Sequence, residues 1–217
     1  MRLFVDSANL RDIETAFDMG IISGVTTNPV LIHKECPENK LKQHIQSIRS
    51  ICDGEILTQV VGSTAKEMVR QAKEINSWDS NITVKIPLVR EGIKAVSMLQ
   101  KEGGIRTCNT ITFNAGQALA AAMAGATYIS PFYNRANKDT NCGLQMMEAI
   151  TQIFRVNALK TKILVASIDK PMDVVNLAML GVDVITAPLP VWEGLFENTL
   201  TDAVLAKFLK DWKGDEI

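Results

Sequence analysis

Ile82-Thr83-Val84-Lys85-Ile86-Pro87 decides how this chain is read. Ile82, Val84 and Ile86 are apolar and β-branched residues fill most of the run, so the segment reads as a buried strand. Pro87 has no N–H to give the ladder and ends it. Lys85 is then a lone charge inside a core strand, at its C-terminal end. Burial penalises an ammonium and favours the free amine, which is a nucleophile for carbonyl carbon. The competing reading is an edge strand whose lysine extends its charged tip to the surface. The remainder of the chain separates the two.

On both sides of this strand, short β-branched runs alternate with longer helical patterns. Further strands are expected over 3–6, 25–27, 56–61, 105–110, 127–130, 162–167 and 182–186. Helices are expected over 8–19, 41–52, 64–76, 91–102, 115–124 and 143–157, with a polar loop before the last of these. Ser63-Thr64 is a cap for one helix, and Pro171 opens another at a position that tolerates a missing N–H. Helical stretches over 191–196 and 202–212 close the chain. Eight βα units of roughly 27 residues are what one (β/α)8 barrel requires. An open doubly wound sheet is the alternative, but the first turn reads Asp6-Ser7-Ala8-Asn9 and not a glycine-rich phosphate loop. The expectation is an α/β fold with residues 1–217 as one barrel domain plus an extra C-terminal helix.

Composition narrows the partners. The chain is 47% hydrophobic and 22% charged with a net charge of −1, which argues against nucleic acid and anionic membrane. Met1-Arg2-Leu3-Phe4-Val5-Asp6 lacks a signal peptide's apolar region, and no run approaches the ~18 apolar residues of a membrane span. A soluble, cytoplasmic protein is expected. Cys36, Cys52, Cys108 and Cys142 form no C-x-x-C pair, and the only histidines are His33 and His44. That pattern suits reduced thiols and offers no metal site.

The strands, aligned by their C-terminal ends, finish on Asp6, Thr26 with Asn28, Gln59, Lys85, Thr110, Ser130, Ser167 and Thr186. In a barrel these ends form the face that carries catalytic groups. There Lys85 could attack a ketone and lose water to give an iminium, an electron sink for cleavage of the β bond. Asp6 is the only carboxylate on that rim and is assigned the proton shuttle; its alternative is to cap the first helix. Thr26, Asn28 and Gln59 would hydrogen-bond substrate hydroxyls, against turn chemistry at Thr27-Asn28-Pro29 and a satisfied interior amide.

Phe4-Val5-Asp6, Gly24-Val25-Thr26-Thr27-Asn28-Pro29, Val84-Lys85-Ile86-Pro87, Ser130-Pro131-Phe132-x-x-Arg135 and Ala166-Ser167 resemble the transaldolase family. The similarity is greatest to the short branch that includes fructose-6-phosphate aldolase, and it runs to Ala206-Lys207-Phe208 and Asp211-Trp212. The resemblance implies a TIM barrel without cofactor or metal, Lys85 as Schiff-base former and Asp6 as acid/base. It further implies a water held by Gln59 and Thr110, Thr26 and Asn28 on a dihydroxyacetone portion, and Arg135 with Ser167 at a phosphate. Ser130 and Phe132 fall among the substrate-binding positions.

Three departures bear on the activity. Position 59 is usually Glu in transaldolases and Gln in the aldolases, whereas Phe132 and Ser130 are transaldolase-like, so the markers point opposite ways. A neutral Gln59 positions water but cannot take its proton. After Ala166-Ser167 the family has a bulky residue and then a cation, and here Ile168 is followed by Asp169 and Lys170. A carboxylate there would repel a phosphate. Cys108 also stands where many relatives carry Asn.

Leu205, Phe208, Leu209 and Trp212 form an apolar stripe on the last helix, which would seal the barrel's underside or dock on a neighbour. In the short branch this helix reaches an adjacent subunit in pentameric rings that pair into decamers, so a homo-oligomer is expected. The leading expectation is a class I aldolase or transaldolase acting on a ketose phosphate such as fructose 6-phosphate, with glyceraldehyde 3-phosphate as aldehyde partner. Another lysine-dependent barrel aldolase or isomerase on a non-phosphorylated sugar, and a barrel that binds sugar phosphate without turnover, are the alternatives.

Overall fold

The computed structural model describes residues 1–36 and 40–212. In chain order the first half holds β1 (Arg2–Asp6), α1 (Leu10–Asp18), β2 (Gly24–Thr26), α2 (Pro29–Glu35) and α3 (Leu41–Ile51). β3 (Glu55–Gln59), α4 (Ala65–Asn76), β4 (Ile82–Pro87), α5 (Arg90–Glu102), β5 (Thr107–Thr112) and α6 (Ala115–Met123) follow. Then come β6 (Tyr128–Pro131), α7 (Tyr133–Thr140), α8 (Gly143–Val156), β7 (Lys162–Val165) and α9 (Pro171–Met179). β8 (Val184–Ala187), α10 (Leu189–Glu193) and α11 (Thr199–Asp211) complete it. Each strand pairs in parallel with the next, and β8 returns to β1 through Phe4↔Thr186 and Val5↔Ala187, closing an eight-strand barrel.

Alternation along the strands sorts side chains into two cores. Val5, Val25, Ile56, Ile82, Val84, Ile86, Ile129, Val165 and Ile185 face outward into a shell shared with the helices. Phe4, Leu57, Cys108, Tyr128, Leu164 and Val184 form a second cluster inside the barrel. Because Val84 and Ile86 belong to the outer shell, their neighbour Lys85 is turned to the interior. The reading of β4 as a central strand holds, and the edge-strand alternative does not.

Below the inner cluster, at the strands' N-terminal ends, a polar group plugs the floor. The Glu55 carboxylate, 8% exposed, accepts from Arg2 Nη1 at 3.1 Å and from the Tyr128 hydroxyl at 2.9 Å. Thr83 Oγ1 donates to its other oxygen, and Arg2 also donates to the Tyr128 hydroxyl while lying 5.1 Å from the centre of the Phe4 ring. The last helix therefore does not seal the underside, because this network does; α11 buries none of its residues. Trp192 of α10 is fully buried and its indole N–H bridges the carbonyls of Phe4 (3.1 Å) and Ala187 (2.9 Å), tying the chain's two ends at the closure.

Two helices fall where the pattern showed none. Asn28 accepts from the N–H groups of Val30 and Leu31 with Pro29 in the first turn, and this nucleates α2. α7 replaces the expected polar loop. It has no apolar stripe to read, and its start is held by the segment that follows β7: Tyr133 N–H donates to Ala166 O and Asn134 N–H to Ser167 O. Strand ends shift too: β5 runs two residues further than expected, to Thr112, and β7 stops at Val165, which leaves Ser167 in the following loop. Thr64 caps α4 with Glu67 in a reciprocal capping box, as the Ser63-Thr64 reading anticipated.

Candidate active site

Lys85 enters the barrel from β4, side by side with Gln59 of β3 and Cys108 of β5. The strand is held at its end by α5, whose Gly92 lies so close that a Cβ would meet the Pro87 carbonyl at 1.9 Å. Lys85 is 3% exposed, and its Nζ donates to the Thr27 carbonyl at 2.8 Å without an ion pair to any described carboxylate. Thr27 is fixed in turn by its own hydroxyl, which donates to the Leu57 carbonyl at 2.9 Å. The carbonyl that receives the lysine belongs to Thr27, between Thr26 and Asn28, and because it is a backbone group no side-chain reading of the sequence singles it out.

Asp6 shares the interior face with Phe4 two residues below it. It accepts from Thr26 Oγ1 at 2.6 Å, and Thr26 is linked to Thr186 Oγ1 at 2.7 Å. Asp6 does not cap the first helix. Asn9 does, accepting from the N–H groups of Arg11 and Asp12, and Asp6 is left for the barrel mouth. Thr186 ended a predicted strand but carried no role; its inward position beside Thr26 is a product of the β8–β1 closure.

Thr110 and Ser130 face each other across β5 and β6, and both hydroxyl oxygens are buried without a hydrogen-bond partner. Such groups are rare unless a ligand or water meets them. Immediately after Thr110 the strand bulges at Ile111, a β-branched residue at φ +68°. Phe132 follows β6 and meets Phe113 edge-on, with ring centres 5.9 Å apart. Cys108, fully enclosed in the inner core, has its thiol pushed up to about 12 by burial, against the pull of the nearby Lys85 charge.

Asn28 lies at the rim, where its side-chain oxygen serves as the cap of α2, so the turn-chemistry reading is met for that atom. A cavity of about 230 Å³ opens beside Asn28 and Gln59, with Ile32 and Val61 among its walls. Arg135 projects from α7 into solvent and has no ion-pair partner among the described residues. Its backbone N–H donates to Ser167 Oγ at 3.2 Å, which leaves the Ser167 hydroxyl proton free to point outward. The first N–H groups of α7 are thus already taken, and an anion here would be met by side chains. Asp169 is not bare: Lys138 reaches it at 2.5 Å. A larger cleft of about 850 Å³ lies at the opposite end of the barrel, walled by surface charges such as Arg155, Lys160 and Lys162, and includes none of these residues.

The sequence model described as transaldolase/fructose-6-phosphate aldolase matches residues 3–216. The chain belongs to this family. Transaldolase-family relatives of nearly equal length accompany it: a "probable transaldolase" of Moorella thermoacetica is 45% identical over 98% of both chains. Another, of Clostridioides difficile, is 42% identical over 99% of this chain and 98% of its own. Membership in a family of enzymes makes this barrel an enzyme. Among solved structures, a flavocytochrome B2 variant superposes at a TM-score of 0.61 with 11% identity, over 87% of this chain and 56% of that one. A mandelate oxidase variant superposes at 0.59 with 14% identity, over 87% and 64%. This chain thus spans less than two thirds of theirs, and the likeness is one of fold alone. Among the described residues no set of three His, Cys, Asp or Glu side chains could hold a metal, and no helix is long and apolar enough to cross a membrane.

Proposed function

We propose that this enzyme cleaves or transfers a dihydroxyacetone unit of a ketose phosphate, such as fructose 6-phosphate, through an imine on Lys85. The observation that carries the reading is the buried Lys85 amine, directed into the barrel and held, among the described residues, by the Thr27 carbonyl alone. In the proposed sequence the amine adds to the ketone carbon and the ketone oxygen takes a proton. Loss of water then gives the iminium. The next carbon–carbon bond breaks as the hydroxyl beyond it gives up its proton; an aldehyde such as glyceraldehyde 3-phosphate leaves and the electron pair is held as an enamine. Asp6 shuttles these protons, with Thr26 orienting its carboxylate. Gln59 and Thr110 hold a water, while Asn28 and Ser130 bind hydroxyls of the dihydroxyacetone portion beside Phe132. Arg135 and Ser167 clamp the phosphate, supported by a guanidinium that is exposed and has no ion-pair partner among the described residues, and by the neutralisation of Asp169 by Lys138. The family likeness supports chemistry that needs no cofactor.

Treatment with fructose 6-phosphate and borohydride, followed by peptide mapping, is expected to give a stable adduct on Lys85. An adduct at another residue, or none, refutes the reading. Product analysis with and without erythrose 4-phosphate then separates release of free dihydroxyacetone from transfer to sedoheptulose 7-phosphate. A cytoplasmic homo-oligomer, a decamer of two pentameric rings, is the proposed assembly. Its support is α11, which exposes Leu205, Phe208, Leu209 and Trp212.

A further inference from the structure

Ile111 combines two unfavourable features at one position. It is β-branched yet holds φ at +68°, where its Cβ crowds the backbone and Gly or Asn would sit with less strain. It is also 39% exposed, so its apolar side chain is only partly covered by its own chain. As the inserted residue of the β5 bulge it has no partner on β6, since Thr110 pairs with Ser130 and Thr112 with Pro131. The shape of the bulge explains a left-handed residue here but not an isoleucine. Strain of this kind persists where the side chain has a use outside the fold itself. Its chain neighbour Thr110 pairs with Ser130, both with buried hydroxyls that lack a partner, and Phe113 two residues on carries the ring that meets Phe132.

We infer that Ile111 is a substrate-contacting residue that closes over the bound ketose beside Thr110 and keeps water from the reactive carbon. The inference rests on the imine chemistry proposed at Lys85 and concerns the fate of its enamine. That enamine carbon can bond to an aldehyde carbon, whose oxygen takes a proton, or it can itself take a proton. Either product is an iminium that takes up one water and releases a ketone, the Lys85 amine and a proton. An apolar side chain over the site hinders the second route more than the first.

Ile111→Gly keeps the left-handed backbone and removes the side chain; Ile111→Asn keeps a side chain that tolerates it. Both full-length variants are to be assayed with fructose 6-phosphate and erythrose 4-phosphate, alongside borohydride trapping, thermal melting and native mass. The expected result is an unchanged or higher melting temperature, the same assembly, a retained Lys85 adduct, and a ratio of free dihydroxyacetone to sedoheptulose 7-phosphate raised by roughly 3-fold or more. An unchanged ratio in both variants, or a lower melting temperature with a changed assembly, overturns the role of Ile111 alone. Absence of a Lys85 adduct in the unaltered protein overturns the imine reading and this inference with it.

Discussion

Lys138 and Asp169 meet at 2.5 Å, one from α7 and the other from the loop after β7, on the same side of the mouth as Arg135. The pair is well exposed, at 69% and 44%, so it contributes little to stability, about 0–1 kcal/mol. Its effect is on the local charge: Lys138 offsets the Asp169 carboxylate. Lys138→Ala is therefore expected to raise KM several-fold, on the order of one unscreened charge at the surface, for a phosphorylated ketose and to leave KM for a non-phosphorylated one unchanged. Asp169→Asn is expected to act in the opposite direction. Equal effects on both substrates would show that this corner does not meet phosphate.

Asp6→Asn retains the oxygen that accepts from Thr26 at 2.6 Å and removes the charge. Folding stability should change little, whereas kcat should fall about 10²–10⁴-fold, the range for loss of a proton shuttle. Steady-state kinetics beside a thermal melt checks both. A variant with more than a tenth of the original rate would exclude Asp6 from proton transfer.

Glu55→Ala leaves Arg2 and Tyr128 at the barrel floor without their shared acceptor. Breaking such a buried pair costs about 3 kcal/mol, with Arg2 partly relieved by solvent. For a chain of this size that is a fall of roughly 6–12 °C in Tm. Lysine trapping in the folded variant should be retained, because the floor lies at the end of the strands opposite Lys85.

Tyr128 gives the protein an alkaline limit. Burial, followed by the Glu55 charge and hydrogen bond, pushes its phenol from 10.0 up to about 12, with Arg2 pulling the other way. Between those values the unfolded chain releases a proton that the folded one keeps, so stability is full below 10 and falls as pH rises towards 12. Tyr128→Phe removes that dependence, although it also removes a hydrogen bond. Urea midpoints at about pH 9 and about pH 11 should differ less in the variant than in the parent.

Where the sequence was legible, a strong local signal carried it. Period-two patterning over Ile82–Pro87 and its counterparts marks the strands, and the helices between them have apolar faces, so the barrel follows from hydrophobic period and unit count. α7 was not legible, because residues such as Asn137, Lys138 and Asp139 form no stripe, and its first turn depends on the Ala166 and Ser167 carbonyls just after β7. Asp6 and Asn28 show the same division at the site. Both are polar residues at strand ends that could serve as caps; the chain uses Asn9 and Asn28 for capping and leaves Asp6 directed at Thr26.

By itself the sequence determined that one lysine stands in a core strand, that eight strands alternate with helices, and which family the motifs resemble. Only the tertiary structure decided that Lys85 turns inward to the Thr27 carbonyl, that Asp169 is neutralised by Lys138, and that Ile111 bulges beside Thr110. The physical reason is that burial periodicity is a local property of a few neighbouring residues. Hydrogen-bond partners separated by 31 or 58 positions meet only when the barrel has closed.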